Sequence, residues 1–321
     1  VQTCALPISS SSDHHIFDKL GHKSKADTAD RYMAPIMTAC ENDIRPRIHL
    51  EDTTKGDIYG FVIPFIQRVL KETNGWAKFR ICDTIGWGSP DPYVSLPFGI
   101  PKLISTIINE TGAELEFHGH NDFGLATANS MAAYRYGCKR VNVSFAGLGE
   151  RTGNTSLEQI VAAYSRMYGD PGLNLKVLGS IRDLLSREVI PIPDKQPIIG
   201  DVFSTQAGLH QTGMRRSEQA EGGSIYLAFD ADLVGDQAYD HSVIGALSGM
   251  DGIVAVLNNQ VREVTGEWGS YSTTSRVVKR IYDRVQESYD GEYDSEQEIF
   301  INQRRTFFTP SEIYDLSIEL R

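Results

Sequence analysis

The chain has 321 residues, of which 40% are apolar and 23% are charged, and this ordinary composition excludes fibrous, disordered and low-complexity proteins. Its length predicts two domains or one large barrel with an appendage. The 31 basic and 42 acidic residues give a net charge of -11, which argues against nucleic acid as a partner. No apolar run reaches the roughly 18 residues of a membrane span and no signal peptide opens the chain, so we expect a cytoplasmic protein without membrane contact.

The first eight residues, Val-Gln-Thr-Cys-Ala-Leu-Pro-Ile, resemble the conceptual translation of a sequencing-library adapter. We therefore interpret residues 1–8 as an artefact and expect the native segment to begin near Ser9. The alternative interpretation is a genuine short strand.

From Ser9 to about residue 170, short strand-like runs alternate with amphipathic runs of helix length, which predicts βαβ units and a parallel sheet. The predicted strands are Arg47–Glu51, Lys78–Cys82, Glu114–His118 and Arg140–Ser144. Helices are predicted over 24–43, 55–70, 96–109 and 122–136, and after a capping box at Thr155–Glu158. These make about four and a half units, against the eight of a (β/α)8 barrel. The predicted fold class is therefore α/β, with about strands 4–8 of a TIM barrel present and the N-terminal strands missing; an open sheet is the alternative.

A break in this periodicity follows residue 170. Three prolines, Pro191, Pro193 and Pro197, predict a linker over 171–199. Residues 200–321 are predicted to form smaller, mainly helical subdomains. Their last helix should start at Thr309-Pro-Ser-Glu312, where an N-cap, a proline at N1 and a capping-box Glu coincide. The partial barrel accordingly covers 9–170.

The strongest chemical signal is His118-Gly-His120, which is followed by Asn-Asp at the end of a predicted strand. Residues two apart on a strand point to the same side, so the two imidazoles should project together. Two convergent imidazoles supply half the ligands of a four-coordinate divalent metal, and in a barrel this strand end lies on the functional rim. We therefore predict a metal site; a purely structural role for the histidines is the alternative.

Polar residues also end the neighbouring predicted strands. Glu51-Asp52-Thr-Thr54 follows one strand, Asp83-Thr84 follows another, and the Gly-rich turn Gly147–Asn154 closes the last. A carboxylate beside a metal is a candidate base or ligand, and a threonine hydroxyl can donate to a substrate carboxylate. N-capping of the next helix is the alternative for the two acidic segments. Together the strand ends predict a metal-assisted active site on a barrel rim.

Two of these motifs carry a family resemblance. His118-Gly-His-Asn-Asp122 with Gly147-Leu-Gly-Glu-Arg-Thr-Gly-Asn154 resembles the paired signature of the DRE-TIM metallolyase superfamily, in its Claisen-condensing branch of 2-isopropylmalate, homocitrate, citramalate and Re-type citrate synthases. Further family-like segments follow in the right order: Ser11-Ser-Asp-His-His15, Leu50-Glu-Asp-Thr53, Cys82-Asp-Thr84 and Gly208-Leu-His-Gln211. The resemblance runs from Ser9 to about residue 255. Segments 44–51, 59–65 and 96–101 are most similar to Re-citrate synthase.

The resemblance implies roles for particular residues. His118 and His120 match the two metal-binding histidines of the family, and Asn154 matches an asparagine near or on the same metal. The metal is expected to be Mg, Mn or Zn, because the ligands are carboxylate, imidazole and amide groups. The residues expected to bind the 2-oxoacid are Thr84, which matches the threonine that holds its carboxylate, and His15, Glu150 and Arg151.

Three further residues are expected to be catalytic. Glu51 matches a glutamate on the rim. His210 matches a subdomain histidine, often directed at the barrel of a partner subunit, that is implicated in activating acetyl-CoA, and Tyr226 matches a tyrosine of the same region. The family's first strand also supplies an Arg-Asp pair, with the Asp a metal ligand, and this chain has no such segment.

In function, the resemblance implies an acyltransferase that condenses acetyl-CoA with a 2-oxoacid and then hydrolyses the thioester, in amino-acid or carboxylic acid metabolism. The partners would be these small molecules and a second copy of the chain in a homodimer. A lyase or aldolase of the same superfamily is one alternative; Glu150-Arg-Thr-Gly-Asn154 argues against it, because the lyase branch carries a cysteine-containing loop there. The other is an inactive, aggregation-prone fragment, because an open barrel leaves strand edges unpaired.

Overall fold

The computed structural model describes residues 4–5, 7–203, 207, 210, 213, 226–235, 243–290, 292–294, 299–302 and 307–321. The chain divides into two compact units, Val1–Leu173 and Asn174–Arg321. No helix among the described residues is both long enough and apolar enough to cross a bilayer.

The first unit is built on a parallel sheet. Its strands are β1 (Cys4–Ala5), β2 (Ile8–Ser10), β3 (Arg45–Glu51), β4 (Lys78–Asp83), β5 (Leu115–Gly119) and β6 (Arg140–Asn142). Both β1 and β2 pair with β3, and β4, β5 and β6 follow side by side, every pair being parallel. The helices are α1 (Lys25–Glu41), α2 (Ile63–Glu72), α3 (Ile100–Thr111), α4 (Ala126–Arg135) and α5 (Leu157–Tyr168). The predicted α/β fold is confirmed, and the arrangement is consistent with part of a TIM barrel.

Of the two N-terminal strands of this sheet, β2 was not predicted and β1 was predicted only as an alternative. β2 pairs with the C-terminal half of β3, from Ile8 beside His49 to Ser10 beside Glu51. Cys4–Ala5 pairs with Arg45 and Pro46, so the structure forms the short strand that was the alternative interpretation of the first eight residues. Both strands are too short for an alternating pattern, which is why periodicity did not reveal them.

The predicted capping box at Thr155–Glu158 is wrong. The N-cap of α5 is Ser156, and its side chain makes no capping hydrogen bond. Glu158 is fully buried and accepts a hydrogen bond from the Ala146 N–H at 3.0 Å, while the Thr155 hydroxyl pairs with the Ser130 hydroxyl at 2.7 Å. The Glu158 carboxylate is thus bound by the turn before the helix and the Thr155 hydroxyl by α4, so neither group forms a capping box.

The regular part of α2 also begins later than predicted, at Ile63 instead of Lys55. A 3-10 turn at Thr53–Lys55 and a π-helical turn at Ile58–Val62 precede it. The Asp57 carboxylate accepts the Gly60 N–H at 2.9 Å and holds this entry segment in place. The apolar residues of 58–70 still face the core, so the periodicity was interpreted correctly.

Alternation along the strands separates the two faces of the sheet. The burial pattern of β3 alternates residue by residue, and β4 begins in the same way. One face carries apolar side chains that are at most 1% exposed and that form one core with the helices: Ile48, Leu50, Phe79, Ile81, Leu115 and Phe117. The opposite face, called here the inner face, carries Arg47, His49, Glu51, Arg80, Glu116 and His118.

The second unit is mainly helical, as predicted. Its described α-helices are Val177–Glu188, Met250–Thr265, Arg276–Asp290 and Pro310–Glu319. Ile253, Leu257 and Ile281 are fully buried in its core. An antiparallel hairpin of Glu292–Asp294 and Ile299–Asn302, which was not predicted, follows the third helix.

Two predictions from the sequence concern this unit, namely a capping box at Thr309 and a linker over 171–199. The capping box at Thr309 forms: its hydroxyl accepts the Glu312 N–H, and Glu312 accepts the Thr309 N–H at 2.9 Å. The range 171–199, predicted as a linker, contains the helix Val177–Glu188, whose Leu178 and Gly179 are buried. The domain limits themselves stay a prediction.

Candidate active site

The candidate site lies where the parallel strands end. The carboxyl ends of β2, β3, β4 and β5 meet at one edge of the sheet, which brings Ser10, Glu51, Asp83 and Gly119 to the same rim. In α/β proteins of this kind, ligands bind at that edge.

His118 and His120 form the centre of this rim. Their Nε2 atoms are 3.2 Å apart, and the two rings are perpendicular with centroids 4.9 Å apart. Asn142, the register partner of His118 on β6, places its Oδ1 2.7 Å from His118 Nδ1. An amide oxygen only accepts, so His118 Nδ1 carries the proton and its Nε2 carries a lone pair, which faces His120 Nε2. Burial lowers the pKa of both imidazoles, which favours the neutral, metal-binding form.

Asn154 lies beside this pair. Its backbone forms an antiparallel bridge with His120, and its Nδ2 donates to the Leu148 carbonyl at 3.3 Å. Its Oδ1 is buried and accepts no hydrogen bond from the described residues. The Asn154 carboxamide packs directly against Gly149, because a Cβ at position 149 would lie 2.3 Å from Asn154 Nδ2 and would displace it. The Gly-rich turn therefore fixes a carboxamide whose oxygen is left for a ligand.

These atoms fit a divalent cation. Nitrogen ligands lie about 2.0 to 2.1 Å from a metal such as zinc, so two of them on one ion are about 3.0 to 3.4 Å apart, and the separation of 3.2 Å between the two Nε2 atoms agrees. Within the described ranges, no three His, Cys, Asp or Glu side chains gather as a metal centre. The donors present are thus two imidazole nitrogens and one amide oxygen.

The end of β3 carries a charged cluster around Glu51. Its carboxylate accepts the Ser10 hydroxyl at 2.6 Å and the Lys19 ammonium at 2.9 Å, and lies 3.3 Å from His15 Nδ1. Burial raises the pKa of Glu51, but the Ser10 and Lys19 hydrogen bonds outweigh burial and hold that pKa below its ordinary value. Glu51 is therefore ionised at neutral pH.

Thr84 and His15 are brought together by the residue after Glu51. The Asp52 backbone N–H donates to Thr84 Oγ1 at 2.7 Å, and Asp52 Oδ2 lies 3.7 Å from His15 Nε2. The N-capping alternative for this segment is wrong, because Asp52 makes no side-chain capping hydrogen bond to the turn that follows it.

Comparison with known proteins agrees with this geometry. Residues 7–185, more than half of the chain, match the HMGL-like family. The chain belongs to the HMGL-like family. This confirms the resemblance to the DRE-TIM metallolyase superfamily.

Its relatives include several synthases. The HMGL-like chain is 37% identical over 264 residues to citrate (Re)-synthase of Clostridium kluyveri, which covers 79% of this chain and 57% of that protein. It is 30% identical over 279 residues to 2-isopropylmalate synthase of Sulfolobus acidocaldarius, covering 83% and 68%. These names agree with the Claisen-condensing branch. The chain spans about half the length of the first curated relatives it matches.

Similarity to solved structures is weaker. Hydroxymethylglutaryl-CoA lyase from Pseudomonas aeruginosa covers 57% of the HMGL-like chain at 20% identity and a TM-score of 0.46. This likeness carries no weight for activity.

Asp83 is not a site residue of the HMGL-like chain, although its position at a strand end suggested a base or ligand. Alternation along β4 puts it on the same face as Phe79 and Ile81, away from the inner face. Its buried carboxylate accepts the Thr54 hydroxyl at 2.8 Å and the Gly88 N–H at 3.1 Å. Burial raises the pKa of Asp83 to about 6. The carboxylate fastens the loop after β4.

Arg151 is bound by neighbouring groups of the chain, and Glu150 is exposed. The Arg151 guanidinium binds both oxygens of Asp122, at 2.7 and 2.8 Å, and the Thr84 carbonyl at 2.7 Å. The predicted contact of Arg151 and Glu150 with substrate stays a prediction.

His210 and Tyr226 belong to the second unit and are near each other. Their rings stack with centroids 4.2 Å apart and an angle of 24°, and both residues are exposed. The other residues of Gly208-Leu-His-Gln211 lie outside the described residues. The pairing agrees with the prediction that the two residues share one region.

Sequence reasoning missed several residues of the HMGL-like site. Asn142 orients His118, and the Ser10 and Ser12 hydroxyls donate to the carboxylates of Glu51 and Asp52. Asp52 lies in a segment that was predicted, but its backbone hydrogen bond to Thr84 was not. The alternation in Arg140-Val-Asn142 could have placed Asn142 beside His118, because register partners on parallel strands share a face. Ser10 belongs to β2, a strand that no pattern revealed, and Ser12 follows it.

Proposed function

We propose that this HMGL-like chain is the part of an enzyme that condenses acetyl-CoA with a 2-oxoacid and hydrolyses the resulting thioester. The observation that carries the proposal is the pair of imidazole nitrogens 3.2 Å apart on a rim that also holds Glu51, His15 and Thr84. Relatives named citrate (Re)-synthase and 2-isopropylmalate synthase support it.

His118, His120 and Asn154 would hold the divalent cation, Mg, Mn or Zn. When bound, such an ion acts as a Lewis acid on the 2-oxo group of the substrate. Asn142 fixes the ring of His118, and the Gly-rich turn fixes the carboxamide of Asn154. The protein thus presents its donors already oriented.

The neighbouring groups would bind and orient the 2-oxoacid. Thr84 Oγ1 already accepts the Asp52 N–H, so its own proton is available for a substrate carboxylate. Glu51 is ionised and paired with Lys19, so it contributes charge and position to the rim. His210, stacked on Tyr226, is the proposed base that takes a proton from the acetyl-CoA methyl group, whose carbon then bonds to the ketone carbon.

A lyase of the same superfamily remains the alternative function. The proposal includes a 2-oxoacid from the set oxaloacetate, 2-oxoisovalerate, 2-oxoglutarate and pyruvate, a homodimer and a cytoplasmic location.

Two measurements test the proposal. First, Mn²⁺ binding is followed by electron paramagnetic resonance: the chain should bind Mn²⁺, and His118→Ala/His120→Ala should abolish binding, whereas His14→Ala, which removes an exposed imidazole, should not. Second, free thiol is measured from acetyl-CoA with each of the four 2-oxoacids. Thiol release with one of them supports the synthase. Cleavage of hydroxymethylglutaryl-CoA without any thiol release from acetyl-CoA would establish the lyase instead.

A further inference from the structure

Asp52 has an unusual backbone. It follows β3 directly, is fully buried, and has a φ of 59°, in the left-handed region that residues other than glycine rarely adopt. Such a conformation persists where the surroundings enforce it, and it is concentrated at functional sites. The conformation turns the Asp52 N–H toward β4, where it donates to Thr84 Oγ1 at 2.7 Å.

That hydrogen bond sets the direction of the threonine hydroxyl. A hydroxyl that accepts from an N–H has one proton left to donate. The described residues offer no acceptor for the Thr84 proton. The backbone of Asp52 therefore makes Thr84 a donor toward the rim.

The carboxylate of Asp52 acts on a second group. Its Oδ2 accepts the Ser12 hydroxyl at 2.6 Å and lies 3.7 Å from His15 Nε2 and 3.8 Å from Lys55 Nζ. Its Oδ1 is buried and makes no hydrogen bond among the described residues. His15 Nδ1 in turn lies 3.3 Å from Glu51, so the imidazole is placed between two carboxylates.

We propose that Asp52 is a positioning residue of the site, which fixes the Thr84 hydroxyl through its backbone and the His15 imidazole through its carboxylate. The inference rests on the proposed function, because Thr84 and His15 are the groups assigned there to the 2-oxoacid. The Ser12 hydroxyl holds this carboxylate by a hydrogen bond of 2.6 Å, and the charge of the carboxylate, 3.7 Å from His15 Nε2, orients the imidazole.

Four variants and one control separate the contact of Asp52 with Thr84 from its contact with His15. Asp52→Gly keeps the left-handed backbone and its N–H, but removes the carboxylate. Asp52→Asn also tolerates this conformation and keeps the size of the side chain, but removes the charge. Thr84→Val removes the hydroxyl, and Thr84→Ser restores it. Asp43→Gly is the matched control, because Asp43 is also left-handed, with a φ of 56°, but is exposed.

The first readout needs neither metal nor substrate. In the ligand-free chain, Asp52→Gly and Asp52→Asn should change the His15 imidazole ¹⁵N resonances, and Thr84→Val should speed hydrogen exchange of the Asp52 amide. Asp43→Gly should do neither, and circular dichroism checks that each variant is folded. Unchanged His15 resonances in both Asp52 variants, with an Asp52 amide unaffected by Thr84→Val, would overturn the proposal.

The second readout is the dissociation constant for oxaloacetate and pyruvate in the presence of Mn²⁺, by calorimetry. Loss of a group that orients a ligand-binding side chain typically weakens binding about 10-fold or more, and we expect this for both Asp52 variants and Thr84→Val, with recovery in Thr84→Ser. Affinities within twofold of the parent chain would count against positioning. If the parent chain binds no 2-oxoacid, the proposed function fails, and the ligand-free resonances still decide whether Asp52 positions the two groups.

Discussion

The two faces of the parallel sheet are made by alternate residues of the same strands, yet one face is apolar and the other is charged. The face toward the helices is apolar, and its six central side chains are at most 1% exposed. The inner face places Arg47 and Arg80 around the single carboxylate of Glu116, at 3.6 and 2.9 Å. It therefore carries charged side chains held in ion pairs, whereas the opposite face carries none among its six central residues.

The difference shows where stability and where function reside. Strands of a parallel sheet covered on both faces usually read as continuous apolar runs. Here the alternation places charged and imidazole groups on one face, where their partial burial costs free energy of folding. Such a departure from an apolar core is expected at a functional site. The apolar face should carry the folding free energy, and the inner face should carry chemistry.

The largest expected effect is on the apolar face. Phe79→Ala removes a fully buried ring and should lower the free energy of unfolding by about 3 to 5 kcal/mol, measured by urea denaturation. Tyr93→Ala, at a ring that is 88% exposed, should cost about 0.5 kcal/mol or less. Equal losses at both positions would remove the distinction between the apolar face and the surface.

A smaller effect is expected at the charged centre of the inner face. Glu116→Gln leaves Arg47 and Arg80 without their carboxylate and should lower the free energy of unfolding by about 2 kcal/mol. Glu114→Gln is the matched control: it also loses two cationic partners, Lys78 and Arg140, but its side chain is 38% exposed. Solvent screening should keep that loss below about 1 kcal/mol. A control as damaging as Glu116→Gln would show that burial does not set the value of these pairs.

The inner face should also respond through the metal. Asn142→Ala removes the acceptor that orients His118 and should weaken Mn²⁺ binding about 10-fold or more, with little change in stability. Asn109→Ala, at an exposed position of α3, is the control. Unaltered Mn²⁺ affinity in Asn142→Ala would mean that the hydrogen bond is structural only.

The last expected effect is a pH dependence, which is confined to a narrow pH range. Burial and the nearby Arg80 lower the pKa of His49 from 6.5 to about 4. The unfolded chain therefore binds this proton first as the pH falls, so His49 lowers stability progressively from pH 6.5 to pH 4. In His49→Gln this part of the decline should disappear from denaturation curves recorded across that window. His14→Gln controls for the loss of one imidazole, and parallel profiles for the parent chain and His49→Gln would contradict the assignment.

Much of this arrangement could be predicted from the sequence. The four predicted strands end within two residues of the observed ones, because β-branched and aromatic residues alternate clearly there. His118 and His120 were placed together by the period of a strand alone. The prediction for Asp83 was wrong because it considered the strand end but not the face of the sheet on which Asp83 lies. The prediction for Glu158 was wrong because a capping pattern cannot show that a neighbouring turn binds the same carboxylate.

The sequence by itself determined the parallel α/β fold, the rim and the two histidines, since these depend on local periodicity and on motifs that are contiguous in the chain. Only the tertiary structure decided which side chains complete the rim. Asn142, Ser10 and Asp52 contact partners that are distant in sequence. Asn142 is 24 residues from His118, and Ser10 is 41 residues from Glu51. Such contacts follow from register and from one left-handed turn, and neither is encoded in a local pattern.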